Sequence, residues 1–374
     1  MTANELYLGQ TFLIGLGAFF LFSRSGYIIR WQIVLWTFLT AAIYLRYGAT
    51  DQLIFYSSDQ TYHAELIAQI VSGMRNFDIR WWILESRAPY TLPSTVLYLS
   101  GVDIALAMKS ISLLYLVGST QLVGRWLLEK GFRHHYLAIF LCAMGPTGLL
   151  FSSLGLRETS MMFFALKAAR GTTFGQRVIA VFFLALLRPH LAVAIVIGSA
   201  LIALLGNVFP RVGIRPTTRL ALVFVSSIIG SIAFALGSSL RDETRFATGS
   251  IVNIRDITRI ASNFIGLQFL TAPDYTVALS ISELFLSRLL FSETILIPLL
   301  FVITALTAQN LDKPSQLVLY VFSIYVGIAT RTDNNSFRQN LPLMPLMGMS
   351  LVAVLQRYEP NRKLRFRSTK LVGT

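Results

Sequence analysis

Long apolar runs separated by short charged turns recur along the whole chain. They lie at 7–23, 28–47, 103–127, 136–155, 159–169, 177–187, 190–208, 219–238, 291–308, 315–330 and 338–356. An α-helix rises about 1.5 Å per residue, so some 17–25 apolar residues cross a hydrocarbon core of about 30 Å. The pattern therefore predicts an all-α, polytopic transmembrane helical bundle of about eleven spans. The pair 159–169 and 177–187 is short for a full crossing. Two longer polar stretches, 48–102 and 239–290, interrupt the series, and a basic tail, 357–374, follows a single transmembrane domain over 1–356.

The first polar stretch carries its own helical signal. Ser57-Ser58-Asp59 has the pattern of a helix N-cap, and Tyr62, Leu66, Ile67, Ile70 and Val71 follow on one side of the predicted helix. Asp59 and His63, four residues apart, share a face, with Glu65 close by. Such a helix suits the membrane interface, with Trp81-Trp82 as an aromatic anchor. The second stretch alternates charged and apolar residues from Arg241 to Arg259 and reads as another interfacial helix pair.

Composition sharpens the membrane reading. Hydrophobic residues make up 54% of the chain, charged residues 13%, and the mean hydropathy is +0.62. Soluble domains carry about 25% charge, so a soluble fold is excluded. The net charge of +14 would point to nucleic acid in a soluble protein. Here it is concentrated in short loops and the tail, which is membrane sorting, and no nucleic-acid partner is expected. The opening MTANELYLGQ lacks a positive n-region, so no cleaved signal peptide is expected. The single cysteine, Cys142, allows no internal disulfide, and the four histidines show no metal-ligand spacing.

Lysine and arginine set the orientation. With the turn Arg24–Arg30 in the cytoplasm, alternation places Arg125–His135, Lys167–Arg177, Arg211–Arg219, Lys313 and the tail on the same side. Both polar stretches then face outward. Of six lysines, five are cytoplasmic and Lys109 lies within a span. The outer face holds arginine alone: Arg46, Arg75, Arg80, Arg87, Arg157, Arg188, Arg241, Arg245, Arg255, Arg259, Arg288, Arg331 and Arg338. Arginine offers a rigid two-pronged fork to phosphate or carboxylate, so this bias predicts an anionic ligand on the outer face.

Candidate chemistry clusters on that face. Arg157 and Glu158 sit between two apolar runs, and Arg188 and His190 flank the helix-breaking Pro189. Ionisable groups at membrane depth point to function. The segment RTDNNSFRQN adds Arg331, Asp333 and Arg338. In this reading Asp59 or His63 is a general base, and Arg157, Arg188, Arg331 and Arg338 bind donor phosphate. Glu158, His190, Arg87 and Asp333 are further candidates.

The order of these features resembles a known layout. An early Asp59-Gln60-Thr61-Tyr62-His63-Ala64 in an outer loop is followed by a short helix from Pro93 to Ser100 and a long span ending in Arg125. Then come GPTGLLFSSLGLRETSMMFF and LLRPH. Over roughly residues 45–200 this resembles the GT-C superfamily of polyprenyl-phosphate-dependent glycosyltransferases and the related bacterial exopolysaccharide polymerases. The resemblance implies that Asp59 acts as base or metal ligand and that outer arginines hold a lipid phosphate. It implies a glycosyltransferase of the plasma or bacterial inner membrane, working on its periplasmic or extracellular face. The donor would be an isoprenoid-linked sugar, the acceptor a glycan or lipid-linked acceptor, and membrane lipids the surroundings. No cofactor is demanded, and a divalent metal stays open. Two spans instead of one precede the loop, and Asp59 is followed by Gln60 where the family has a paired acidic motif. A polymerase or ligase using lipid-diphosphate donors therefore remains an alternative. A transporter or flippase of a lipid-linked sugar is a third, since Asp103 and Lys109 fall in one span.

Overall fold

The structure, a computed structural model, describes residues 3–48, 57–76, 87–171 and 173–208, with scattered positions between 221 and 355. The stretch 239–290, the spans 291–308, 315–330 and 338–356, and the basic tail lie wholly or largely outside the described residues, as do Trp81 and Trp82. Among the described residues all regular structure is helical. In chain order the helices are α1 (Ala3–Leu21), α2 (Tyr27–Tyr47), α3 (Ser57–Arg75), α4 (Ala88–Leu99), α5 (Ile104–Glu129), α6 (His135–Met144), α7 (Pro146–Ser153), α8 (Glu158–Arg170), α9 (Phe174–Leu187) and α10 (Pro189–Val208).

Three stretches among these are long and apolar enough to cross a membrane: Tyr27–Arg46, Ile104–Glu129 and His135–Ser153. Phe174–Leu187 and Pro189–Leu204 are shorter apolar helices. The third stretch is not one straight rod. Pro146 has no backbone N–H to donate and disfavours helical geometry in the residue before it, so Gly145 turns extended (φ −56°, ψ 122°) and α7 begins anew at Pro146.

Helix α5 is the axis, packing against α1, α2, α3, α4, α6, α7 and α8. Asp103 starts it: its carboxylate accepts from the backbone N–H groups of Ala105 (2.9 Å) and Leu106 (3.2 Å). Asp103 is thus a cap and not a charge inside the span. Leu106, Leu113, Leu116, Val123 and Leu127 are fully buried along α5. Between helices in lipid such burial stabilises through close van der Waals packing more than through water exclusion. Gly118 shows how close: a Cβ there would stand 3.0 Å from the Phe163 ring on α8.

The helices alternate in direction, so contacts sort into two ends. At one, Gln121 on α5 donates to the Ser25 hydroxyl (2.8 Å) and the Arg170 guanidinium stacks 3.4 Å over Trp126. At the other, Gln10 of α1 donates to the Gly101 carbonyl (3.0 Å), and Tyr7 stacks on Tyr44 at 3.8 Å. Arg24, Arg125, Lys130, Arg133 and Lys167 fall with the first end, and residues 60–63, 87–90, 155–158 and 188 with the second.

Candidate functional site

The site is built on the turn between α7 and α8. Gly155 adopts φ +68° there, a conformation that side chains rarely take. A Cβ at Gly155 would also stand 3.0 Å from the Lys109 backbone nitrogen, so only glycine fits. The Gly155 N–H donates to the Ser152 carbonyl (3.1 Å) and the Leu156 N–H to the Phe151 carbonyl (2.9 Å), the paired bonds that close a helix on a left-handed residue.

That turn leaves three successive carbonyls facing the bundle, and each accepts from a different helix. Gln60 on α3 donates its Nε2 to Leu154 (2.9 Å). The Tyr90 hydroxyl on α4 donates to Gly155. The Ser112 hydroxyl on α5 donates to Leu156 (2.8 Å). All three donors are buried. A satisfied hydrogen bond contributes about 1 kcal/mol, whereas leaving one buried partner unsatisfied costs about 1–3 kcal/mol, so the turn is strongly specified. The start of α4 is held in turn by the Tyr115 hydroxyl, which donates to the Pro89 carbonyl at 2.5 Å.

The turn delivers Arg157 and Glu158 to the start of α8. Glu158 is buried in the first turn, where the helix dipole favours a carboxylate. Arg157 is half-buried and reaches across to donate to the Leu187 carbonyl (3.3 Å), the last residue of α9. Arg188 follows directly: extended at φ −156°, it caps α9 through its N–H to Leu184 (2.7 Å), and Pro189 opens α10. Two arginines separated by 30 residues of chain thus meet at one helix end.

On the opposite flank lies His63, fully buried on α3. Its ring stands edge-on to Tyr90 (5.3 Å, 66°). Arg87 Nη1 lies 3.5 Å from His63 Nε2, and the guanidinium covers the Tyr62 ring at 5.0 Å. For Nε2 to accept from an arginine it must carry no proton, so the neutral Nδ1–H tautomer fits this geometry. Tyr90 links the two flanks. Burial pushes its hydroxyl pKa well above the ordinary tyrosine value; the Ser112 hydrogen bond and Arg157 oppose the shift, and the Glu158 charge adds to it. Tyr90 is therefore a neutral donor.

The structure brings His63, Arg87, Arg157 and Glu158 around Tyr90 and Gly155, with Arg188 beside Arg157 and half-buried His190 two residues on. Helix α3 begins at Ser57, so Asp59 is the third residue of the helix and not its cap; its side chain lies outside the described residues. Arg331, Asp333 and Arg338 also lie outside them. His63 sits on the packed face of α3 with Leu66, Ile67 and Ile70, while Tyr62, expected on that face, is 42% exposed. Among the described residues no three of His, Cys, Asp and Glu form a metal-ligand set. Gln60, Tyr90, Ser112 and Gly155 were not singled out by sequence. Their one signal is Gly155 itself, a lone glycine between an apolar run and a charge pair.

No known family, curated protein or solved structure matches the chain.

Proposed function

We propose that the chain is a membrane glycosyltransferase, an eleven-span bundle with a GT-C-like layout, transferring a sugar from an isoprenoid phosphate or diphosphate to a glycan or lipid-linked acceptor. The observation that carries this reading is the gathering of Arg87, Arg157 and Arg188 with the buried His63 at one end of apolar helices. That end can receive an anionic headgroup while its lipid tail stays in the bilayer. The acceptor oxygen attacks the anomeric carbon, and the carbon–oxygen bond to phosphate breaks with its electron pair leaving on the phosphate. Asp59 or His63 takes the hydroxyl proton. Arg157 and Arg188, and Arg87 once it leaves His63, neutralise the charge that develops on the departing oxygen.

The lysine–arginine asymmetry supports placing this end on the periplasmic or extracellular face of a plasma or inner membrane. Three arginines and the missing acidic pair favour, as a second reading, a polymerase or ligase with a diphosphate donor and no metal. The transporter reading loses one of its two charges, since Asp103 is spent on capping α5.

The deciding experiment is transfer in proteoliposomes from polyprenyl-phosphate and polyprenyl-diphosphate sugars, with Asp59→Asn and Arg188→Ala beside the natural chain. Both variants should lose most activity, and unchanged transfer in both sinks the reading. Transfer that persists in EDTA selects the diphosphate polymerase. The exposed Glu65→Cys should react with a membrane-impermeant thiol reagent from the outer side, and reaction from the cytoplasmic side alone overturns the orientation.

A further inference from the structure

Helix α2 carries three polar side chains on one line, Gln32, Trp36 and Thr40, spaced four residues apart and all fully buried. Gln32 Oε1, Trp36 Nε1 and Thr40 Oγ1 have no hydrogen-bond partner among the described residues. The Gln32 amide nitrogen does have one: it donates to the Thr120 hydroxyl on α5 at 3.2 Å. That bond fixes the register of the antiparallel pair. Counting away from it, Trp36 falls level with Leu116 and Thr40 with Ser112. Tyr44 then falls level with Met108, next to Lys109, in keeping with the Lys109 ammonium 5.6 Å from the Tyr7 ring that stacks on Tyr44. The line therefore runs from about one turn inside the Ser25 end of the bundle to the underside of the Gly155 turn, which Ser112 holds from below.

An orphaned polar atom inside a span is costly, and natural proteins satisfy nearly all of them. Their spacing of one helical turn suits water. Four helical residues rise about 6 Å. One water, at about 2.8 Å from each of two partners, bridges about 5.6 Å. Water can donate to Gln32 Oε1 and accept from Trp36 Nε1, and can do either with Thr40.

We infer that the α2–α5 seam binds a short file of water molecules, from Gln32 past Trp36 to Thr40, reaching the floor of the candidate site. The inference does not depend on glycosyl transfer. The file gives the site a polar floor inside the membrane and brings solvent towards the buried Lys109 stem and ammonium.

Hydroxyl-radical footprinting by radiolysis, which marks side chains beside bound water even when they are buried, tests this on the full chain in nanodiscs. Met161, equally buried on α8, is the dry reference. Trp36 should be oxidised several-fold faster than Met161, and Gln32→Met and Thr40→Val should each lower the Trp36 rate. A Trp36 rate no higher than that of Met161 in the natural chain overturns the inference, whatever the variants do. A high rate that both variants leave unchanged overturns it as well, because the water is then not held by these groups.

Discussion

The hydroxyl of Tyr90 donates to the backbone carbonyl of Gly155, 65 residues further along the chain. It is the middle of three bonds that bolt α3, α4 and α5 to one turn, and that turn sets where Arg157 and Glu158 emerge. Tyr90→Phe removes the donor and keeps the ring, leaving the Gly155 carbonyl buried and unsatisfied. It should cost about 1–3 kcal/mol in unfolding measurements. Gly155→Ala should cost more, because left-handed strain of about 1–2 kcal/mol adds to the clash with the Lys109 backbone. If Tyr90→Phe leaves stability unchanged, the turn is not held as described.

Arg157 donates to the carbonyl beside Arg188, so the two act as one cationic unit. Arg157→Ala and Arg188→Ala should each lower kcat/KM for transfer by roughly a hundredfold or more, the usual cost of one donor at a developing negative charge. Arg157→Lys should restore part of the charge but not the fork. Losses in the double variant that merely multiply would argue against a shared phosphate.

His63 and Asp59 compete for the base. Loss of a general base typically costs about 10²–10⁴ in rate. His63→Gln should therefore lower kcat and abolish the acidic limb of the pH–rate profile if His63 is the base. A profile that keeps its acidic limb in His63→Gln but loses it in Asp59→Asn assigns the role to Asp59.

Burial raises the pKa of Tyr90 in the folded chain, so on unfolding at high pH the tyrosine releases its proton. The stability this confers is complete below the ordinary tyrosine value, roughly pH 10, and falls as pH rises beyond it. Thermal unfolding between neutral and strongly alkaline pH should show that decline, and Tyr90→Phe should flatten it. Equal slopes in the two proteins would remove Tyr90 as its source.

At the other end Arg170 stacks on Trp126. Arg170→Ala should lower stability by about 0.5–2 kcal/mol through the lost cation–π contact. Transfer per folded molecule should stay unchanged, which separates structural arginines from those of the site.

Much of the helix layout was legible in the apolar pattern. The runs 28–47, 103–127, 159–169, 177–187 and 190–208 correspond closely to α2, α5, α8, α9 and α10, because length and hydrophobicity are local properties. The run 136–155 hid its break, since apolar residues flank Gly145-Pro146 on both sides and only the proline betrays it. Arg157, Glu158 and Arg188 could be read as candidates because charge between apolar runs stands out. Their supports could not. Gln60, Tyr90 and Ser112 are ordinary polar residues whose importance comes from partners 94, 65 and 44 positions away. His63 was expected to share a face with Asp59 on a helix lying at the membrane interface, but α4 and α5 pack on α3, and only their packing puts His63 in the interior.

Those separations also order events during synthesis. Gln60, Tyr90 and Ser112 are all made before the Leu154–Leu156 turn that satisfies them. Non-local pairings of this kind form late, after the chain that must be closed has been laid down. Until residue 156 has left the ribosome, three polar side chains wait in the nascent bundle without their acceptors. The arrival of one short glycine turn then completes all three at once. The site is thus assembled as a closing step, and a chain truncated before Gly155 keeps the bonds among its N-terminal helices but lacks the turn that gathers Gln60, Tyr90 and Ser112.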